Sequence, residues 1–437
     1  MRRSTARRAA TFGSAALLIL ASTGSLAAAD PAPGPDPAIP GLPAELVAAV
    51  SRDLHLTADQ YMQRADLAQR LAVFAQTART QFPESFAGAW LDETGRAVVA
   101  LAPSAQLETA SALVEGAGFD VKSVATNEAG LRDQKSAFDA WLATQPVEIA
   151  DAVRAVAIDV VNNSIAVRVD NVVGGLQLPN FLAPARIVTM PNPLAAEPLG
   201  TTTDVAGELP RNALAGGDSY ASSSDNGGLR CSLGFNATNG AGEIVNVTAG
   251  HCDPNRAAAG TPDASVVYEL GAFDAVGARL GTFAKTSLDN HDYAIIRVGD
   301  DQRDRFDNNI VRIPGQTPLA IDGIATPVVG APVCKSGART GFSCGVVDAV
   351  DQSVEVGDRK LNDAFSVTIC ALPGDSGGTI VTGSKALGVS SASSVAEYPI
   401  CEIPNIIGPA LGNPPMLFAT TLRVVLDENP GLRIHTS

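Results

Sequence analysis

Hydrophobic and polar positions divide this chain into two textures. Between residues 46 and 81 apolar positions recur at helical spacing, and Thr57 with Gln60 predicts a capping box opening a second helix there. Residues 86–91 and 96–101 alternate on either side of Thr94-Gly95 and predict a hairpin. A helix over 106–115, a short strand over 121–126 and a helix over 131–143 follow. Residues 153–161 and 164–169, parted by Asn162-Asn163, predict a second hairpin. The segment 44–179 therefore reads as α+β. Residues 180–213 are rich in Pro, Thr and Ala, lack periodicity and read as a linker. From 214 onward short alternating runs at 244–247, 266–270, 294–298, 353–356 and 365–369 are separated by Gly, Asn and Asp turns. That texture predicts an all-β sandwich or barrel. One helix is expected in it, over 417–427, closing the chain.

The first residues carry a different signal. Arg2, Arg3, Arg7 and Arg8 precede a short apolar stretch that ends in Ala27-Ala28-Ala29. A positive start, a brief apolar core and small residues predict a secretory signal peptide over 1–29, followed by a Pro-rich linker over 30–43. The formal net charge of -15 argues against a nucleic-acid partner, which needs a basic face. There are 6 cysteines, all at or after Cys231. An even number in an exported chain predicts disulfides rather than metal ligation, since no C-x-x-C pair exists and only 4 histidines are present. The pairing stays open at this level.

Three segments carry chemistry: Val247-Thr248-Ala249-Gly250-His251-Cys252, His291-Asp292-Tyr293-Ala294-Ile295-Ile296, and Pro373-Gly374-Asp375-Ser376-Gly377-Gly378. A serine hydroxyl becomes a competent nucleophile when a neutral imidazole takes its proton, and a buried carboxylate orients that imidazole. The Gly-rich turn lets the backbone N–H groups of Gly374 and Ser376 face one point, as an oxyanion hole requires. The candidates are thus His251 as base, Asp292 as orienting acid and Ser376 as nucleophile. Asp289 is the nearest rival acid. The 44–179 segment, whose only histidine is His55, offers no nucleophile–base pair.

From about residue 214 to the end the chain resembles the chymotrypsin-fold serine proteases, specifically the α-lytic protease and streptogrisin group. The resemblance rests on the His251 and Ser376 segments, on Gly216-Gly217-Asp218, on Arg230-Cys231-Ser232-Leu233-Gly234-Phe235-Asn236, and on Val333-Cys334-Lys335-Ser336-Gly337 leading to Thr340-Gly341-Phe342-Ser343-Cys344-Gly345. The first half resembles that group's prodomain, most clearly at Phe86-Ala87-Gly88-Ala89-Trp90-Leu91-Asp92-Glu93. The resemblance implies two antiparallel six-stranded β-barrels over 214–437, preceded by an α+β prodomain that aids folding and inhibits the enzyme until it is cut off. It implies the disulfides Cys231–Cys252, Cys334–Cys344 and Cys370–Cys401. It implies a buried Asp375 paired with a cation, for which Lys335 and Arg339 are the candidates. It places maturation after Ala213.

The same resemblance puts the specificity pocket at Ala371, Ser391, Ala392 and Ser393, where the family's usual Ser-Gly-Gly has lost both glycines. No aspartate stands where a basic substrate side chain would bind, so an apolar residue is expected on the acyl side of the cut. Glu402 beside Cys401 is the feature that opposes this, should it face inward. The expected protein is a secreted monomer that acts on peptide or protein substrates and is handled by its own prodomain. It needs no cofactor or metal and has no membrane attachment once the signal is removed. Two alternatives stand beside it: a catalytically inactive secreted binding module on a protease fold, and a hydrolase of esters.

Overall fold

The computed structural model describes residues 42–169, 178–179, 182, 185–190, 197–198 and 211–436, except 316, 358 and 411. The expected signal peptide, nearly all of the Pro-rich linker and most of the 180–213 stretch lie outside the described residues. The chain divides into units 1–37 and 38–437, and all the described residues belong to the second.

The first half opens with helices Ala44–Leu54 and Ala58–Gln81. The capping box forms: the Gln60 N–H donates to Thr57 Oγ1 at 3.2 Å and the Thr57 N–H donates to Gln60 Oε1 at 2.9 Å. Phe86–Leu91 pairs antiparallel with Ala97–Leu101, and Asp120–Ser123 joins that strand in parallel. Helices Leu107–Gly116 and Glu128–Leu142 complete this layer. The hairpin Val153–Asp159 with Ser164–Val169 then gains a third, parallel strand, Ala185–Thr189. This last strand falls in the stretch that lacks periodicity. Its ladder uses main-chain groups, which a side-chain pattern does not reveal.

The second half is built of two β modules. One is a nine-stranded path running Arg433–Ile434, Phe235–Thr238, Ile244–Thr248, Tyr293–Val298, Val276–Ser287, Val266–Leu270, Ser219–Ser224, Gly227–Ser232 and Glu197–Pro198. In the other, Pro332–Gly337, Thr379–Thr382, Lys385–Ser393, Leu417–Thr421, Arg359–Val367 and Gly341–Val356 follow one another, and the last pairs back to the first. Six strands therefore close a ring there, as expected of a barrel. The nine-stranded path remains open among the described residues. This half is mostly β.

Two helices differ from expectation. The 417–427 stretch is strand Leu417–Thr421 followed by helix Leu422–Asp427. Leu417–Thr421 is drawn between Lys385–Ser393 and Arg359–Val367, and tertiary pairing decides a short apolar run whose period is ambiguous. Thr421 then caps the helix, accepting from the Val424 N–H. Helix Glu402–Ala410, containing Pro404 and Pro409, had no sequence signal because those prolines mimic a loop.

The two halves share their cores. Strand Gly341–Val356 pairs beyond the ring with Val153–Asp159, matching Ser353 to Val156 and Val354 to Ala155. One apolar cluster joins Leu71, Ala75 and Phe82 to Val333, Phe365 and Ile380. Helix Ala58–Gln81 buries Tyr61 among Cys334, Val381 and Val389, where its hydroxyl accepts the Gly383 N–H at 2.9 Å. Replacing Tyr61 with Phe strands that buried donor. The full chain should lose about 1–3 kcal/mol of stability, read by chemical denaturation of a Ser376→Ala background.

Candidate active site

Strand register brings the first two candidates together. Ile244–Thr248 pairs with Tyr293–Val298, setting Thr248 against Ala294. A single 3₁₀ turn, Gly250–Cys252, follows the first strand and carries His251; Asp292 immediately precedes the second. His251 Nδ1 and Asp292 Oδ2 are 2.6 Å apart, and the His251 backbone N–H donates to Asp292 Oδ1 at 2.9 Å. Asp292 is fully buried. Its competitor Asp289 is exposed.

The second module supplies the rest. Ser391 Oγ donates to Asp292 Oδ2, and Thr420 Oγ1 donates to the Asp292 carbonyl at 2.9 Å. Ser376 Oγ donates to the Ser391 carbonyl at 3.5 Å. His251 Nε2 lies 4.0 Å from Cys252 Sγ, which lies 3.8 Å from the Ser376 carbonyl. Hydroxyl, imidazole and carboxylate thus converge where the modules meet. Burial by itself raises the Asp292 carboxyl. The nearby His251 and the hydrogen bonds from His251 and Ser391 outweigh it, with a further contribution from the Arg359 charge, and hold the group well below the usual carboxylate range.

The serine loop is fixed from several sides. Gly374 has φ 103° and Gly377 φ 82°, conformations open to glycine at no steric cost. A Cβ on Gly377 would also meet Thr248 Oγ1 at 2.0 Å. Ser232, from the first module, donates its N–H to the Ser376 carbonyl and its hydroxyl to the Gly374 carbonyl, both at 2.8 Å. Asp375 points away into the second module. Its Oδ1 accepts the N–H groups of Arg339 at 3.0 Å and Thr340 at 2.9 Å. Its Oδ2 accepts Thr340 Oγ1 at 2.6 Å and the Leu372 N–H at 3.0 Å. Lys335 Nζ reaches that oxygen at 3.5 Å, with both side chains buried. Lys335 is therefore the paired cation, and Arg339 contributes its backbone.

The disulfides are Cys231–Cys252, Cys334–Cys344 and Cys370–Cys401. The first anchors the His251 turn to the strand Gly227–Ser232. Cys231, His251 and Cys252 lie close enough to hold a cation. Both sulfurs are spent in one disulfide, so no thiolate remains for a metal. Among the described residues no helix is long and apolar enough to cross a membrane.

Ala371, Ser391, Ala392 and Ser393 line one small cavity together with Leu372, Ser376 and Leu417. Its volume, about 10 Å³, admits about one water. Glu402 is exposed and does not line it. Sequence reasoning missed Ser391 as a donor to Asp292, and missed Thr420 altogether. His291 turns away from the site, to Glu428 at 2.7 Å and Asp363 at 3.4 Å.

No protein-family model matches the chain. Streptogrisin-C of Streptomyces griseus is 29% identical over 400 residues, covering 89% of this chain and 78% of that protein. Serine protease 2 of Streptomyces fradiae is 35% identical over 183 residues, 41% of this chain and 95% of its own length. Glutamyl endopeptidase 2 of Streptomyces griseus is 35% identical over 181 residues, 41% of this chain and 85% of its own. Among solved structures, the Nocardiopsis protease is 28% identical, with 51% of this chain and all of that one covered at a TM-score of 0.39. Two relatives at 35% identity, matched over 95% and 85% of their own lengths, show the family: the chain belongs to the streptogrisin-type serine proteases and is a serine endopeptidase.

Proposed function

We propose that the protein is a secreted precursor whose processed form cleaves peptide bonds with His251, Asp292 and Ser376 as its triad. The observation that carries this reading is the buried hydrogen-bonded set Ser376–Ser391–Asp292–His251. His251 Nε2 takes the proton of Ser376 Oγ as the oxygen attacks the substrate carbonyl, then returns it to the leaving amine. The N–H groups of Gly374 and Ser376 receive the developing oxyanion. Water, activated by the same imidazole, resolves the acyl-enzyme. Asp292 keeps its charge throughout and holds the ring with Nδ1–H toward itself. An inactive binding module is the weaker reading, because it leaves this arrangement of buried polar groups without a use.

The first half is the prodomain in this proposal. The triad is enclosed in the precursor: His251 is 7% and Ser376 5% exposed. Met190, downstream of strand Ala185–Thr189, is buried in one cluster with Ala392 and Met416 beside the pocket. A segment seated there blocks substrate. Strand pairing between 153–159 and the 341–356 strand gives the prodomain a means to template a slow, non-local β topology. The junction at Ala213 is tied down, with the Leu214 N–H donating to Arg305 at 2.8 Å and the Ala213 carbonyl accepting from Arg312 at 2.9 Å. A cut after Ala213 therefore follows local opening. The signal peptide and the monomeric state belong to the same proposal.

The small cavity favours a small apolar residue, such as Ala, on the acyl side of the cut. Cleavage profiling on a mixed peptide library should show that preference; dominant cutting after Lys, Arg or Glu would overturn it. A fluorophosphonate probe should label processed wild type and leave Ser376→Ala unlabelled. Asp292→Asn should lower kcat by about 10⁴-fold, the size of the effect in the chymotrypsin triad.

Asp292 also links stability to pH. Its folded carboxyl lies below the unfolded value of about 3.9. Its stabilisation is thus complete above that value and is lost as pH falls through the lower, folded one. The stability gap between wild type and Asp292→Asn should shrink below about pH 4, measured by denaturation across pH.

A further inference from the structure

The long hairpin formed by Gly341–Val356 and Arg359–Val367 has a face that the catalytic reading does not use. Its register sets Val354 against Leu361 and Val356 against Arg359. Val354, Val356 and Leu361 bury their side chains in one cluster with Ala392, Met416 and Phe418. Residues directly opposite, and residues two apart on one strand, share a face. Arg359 therefore rises from the face that carries Ala392, the wall of the small cavity. Its Nη1 is buried and has no hydrogen-bond partner. Among the described residues no carboxylate lies within ion-pair distance of it, and its charge is felt at Asp292. A buried donor without a partner costs free energy. Guanidinium is also the side chain best matched to a carboxylate, through two parallel N–H bonds.

The precursor shows what occupies this surface before activation. Ala155 and Met190, both from the first half, fill its apolar part. Their departure opens a groove with apolar walls and one cation. An extended acyl segment lying along Ser391–Ser393 advances about 3.3 Å per residue and passes over that groove within a few residues of the cut.

We propose that Arg359 is a specificity-determining residue that takes the carboxylate of an acidic substrate side chain on the acyl side, about two to four residues before the scissile bond. The proposal rests on the reading of Ser376 as nucleophile and of Ser391–Ser393 as the substrate-pairing wall. It concerns a site separate from the small cavity that receives the residue at the cut.

The test uses processed enzyme and quenched fluorogenic peptides, identical except that one position at a time, two, three or four before the cut, holds Glu, Gln or Lys. At one of these positions Glu should exceed Gln by about tenfold or more in kcat/KM, the scale of a charge-assisted hydrogen bond. Arg359→Gln should abolish that ratio, Arg359→Glu should turn it towards Lys, and Arg359→Lys should keep part of it. Each ratio is internal to one enzyme, so a general loss of activity does not disguise the result. Equal rates for Glu and Gln at all three positions in a wild type that labels normally with fluorophosphonate would overturn the proposal. So would a Glu preference that survives in Arg359→Gln. Absence of labelling in processed wild type would overturn the nucleophile reading, and this one with it.

Discussion

The structure depends on one buried charge. Asp292 is out of contact with water, and an unpaired carboxylate in that position costs several kcal/mol. It is tolerated because donors from distant parts of the chain converge on it: the His251 ring and backbone N–H from the first module, and Ser391 Oγ from the second. Thr420 adds a bond to its carbonyl. The carboxylate therefore orients an imidazole and also joins two β modules. Neither task is separable, since any shift of one module against the other leaves the charge with fewer donors. The disulfide Cys231–Cys252 and the pairing of Thr248 with Ala294 narrow the positions His251 can take, and Ser232 extends the same control to the Ser376 loop.

What was legible in the sequence is what local physics encodes. The capping box at Thr57, the hairpins around Thr94-Gly95 and Asn162-Asn163, and the helices 107–116 and 128–142 are short-range patterns and appear with shifts of a few residues. The three chemical segments were legible because a Gly-rich turn around serine and a Gly-His-Cys corner are rare by chance. Contacts between remote residues were not. Ser391 is 99 residues from Asp292 and Thr420 is 128, and neither serine nor threonine announces a partner. Residues 417–421 have an apolar pattern that suits a helix or a strand, and the open slot between two neighbouring strands settled it. The choice between Lys335 and Arg339 was open because both stand near Asp375. The structure uses the ammonium of one and the backbone of the other, so a shorter cation suffices where main-chain donors supply the remaining bonds.

The hairpin 341–367 is the second constraint. Its outer edge would otherwise present unpaired main-chain groups, a liability for any exposed strand. Val153–Asp159 covers part of that edge, and Lys135 with Lys360 ties side chains across the same boundary, to Ser353 at 2.6 Å and Asp139 at 3.4 Å. The stability of this region is accordingly a property of both halves together. If the halves part as proposed, the second has to keep its shape through the closed ring of six strands rather than through the shared sheet.

On the proposed reading, one surface serves in turn as docking site and as recognition site. Met190 and a substrate side chain compete for the apolar ground around Val356, Leu361 and Ala392. Competition of this kind is reciprocal: a change that tightens the hold on substrate there also tightens the hold on the departing segment, unless it acts on a group only one of them uses. Arg359 is such a group. The precursor leaves its Nη1 without a partner, so a carboxylate brought by substrate gains an interaction that the first half does not make. A charge withheld from the inhibitor lets selectivity rise without deepening inhibition. That asymmetry gives a physical reason for the fold to carry an unsatisfied buried donor beside its catalytic centre.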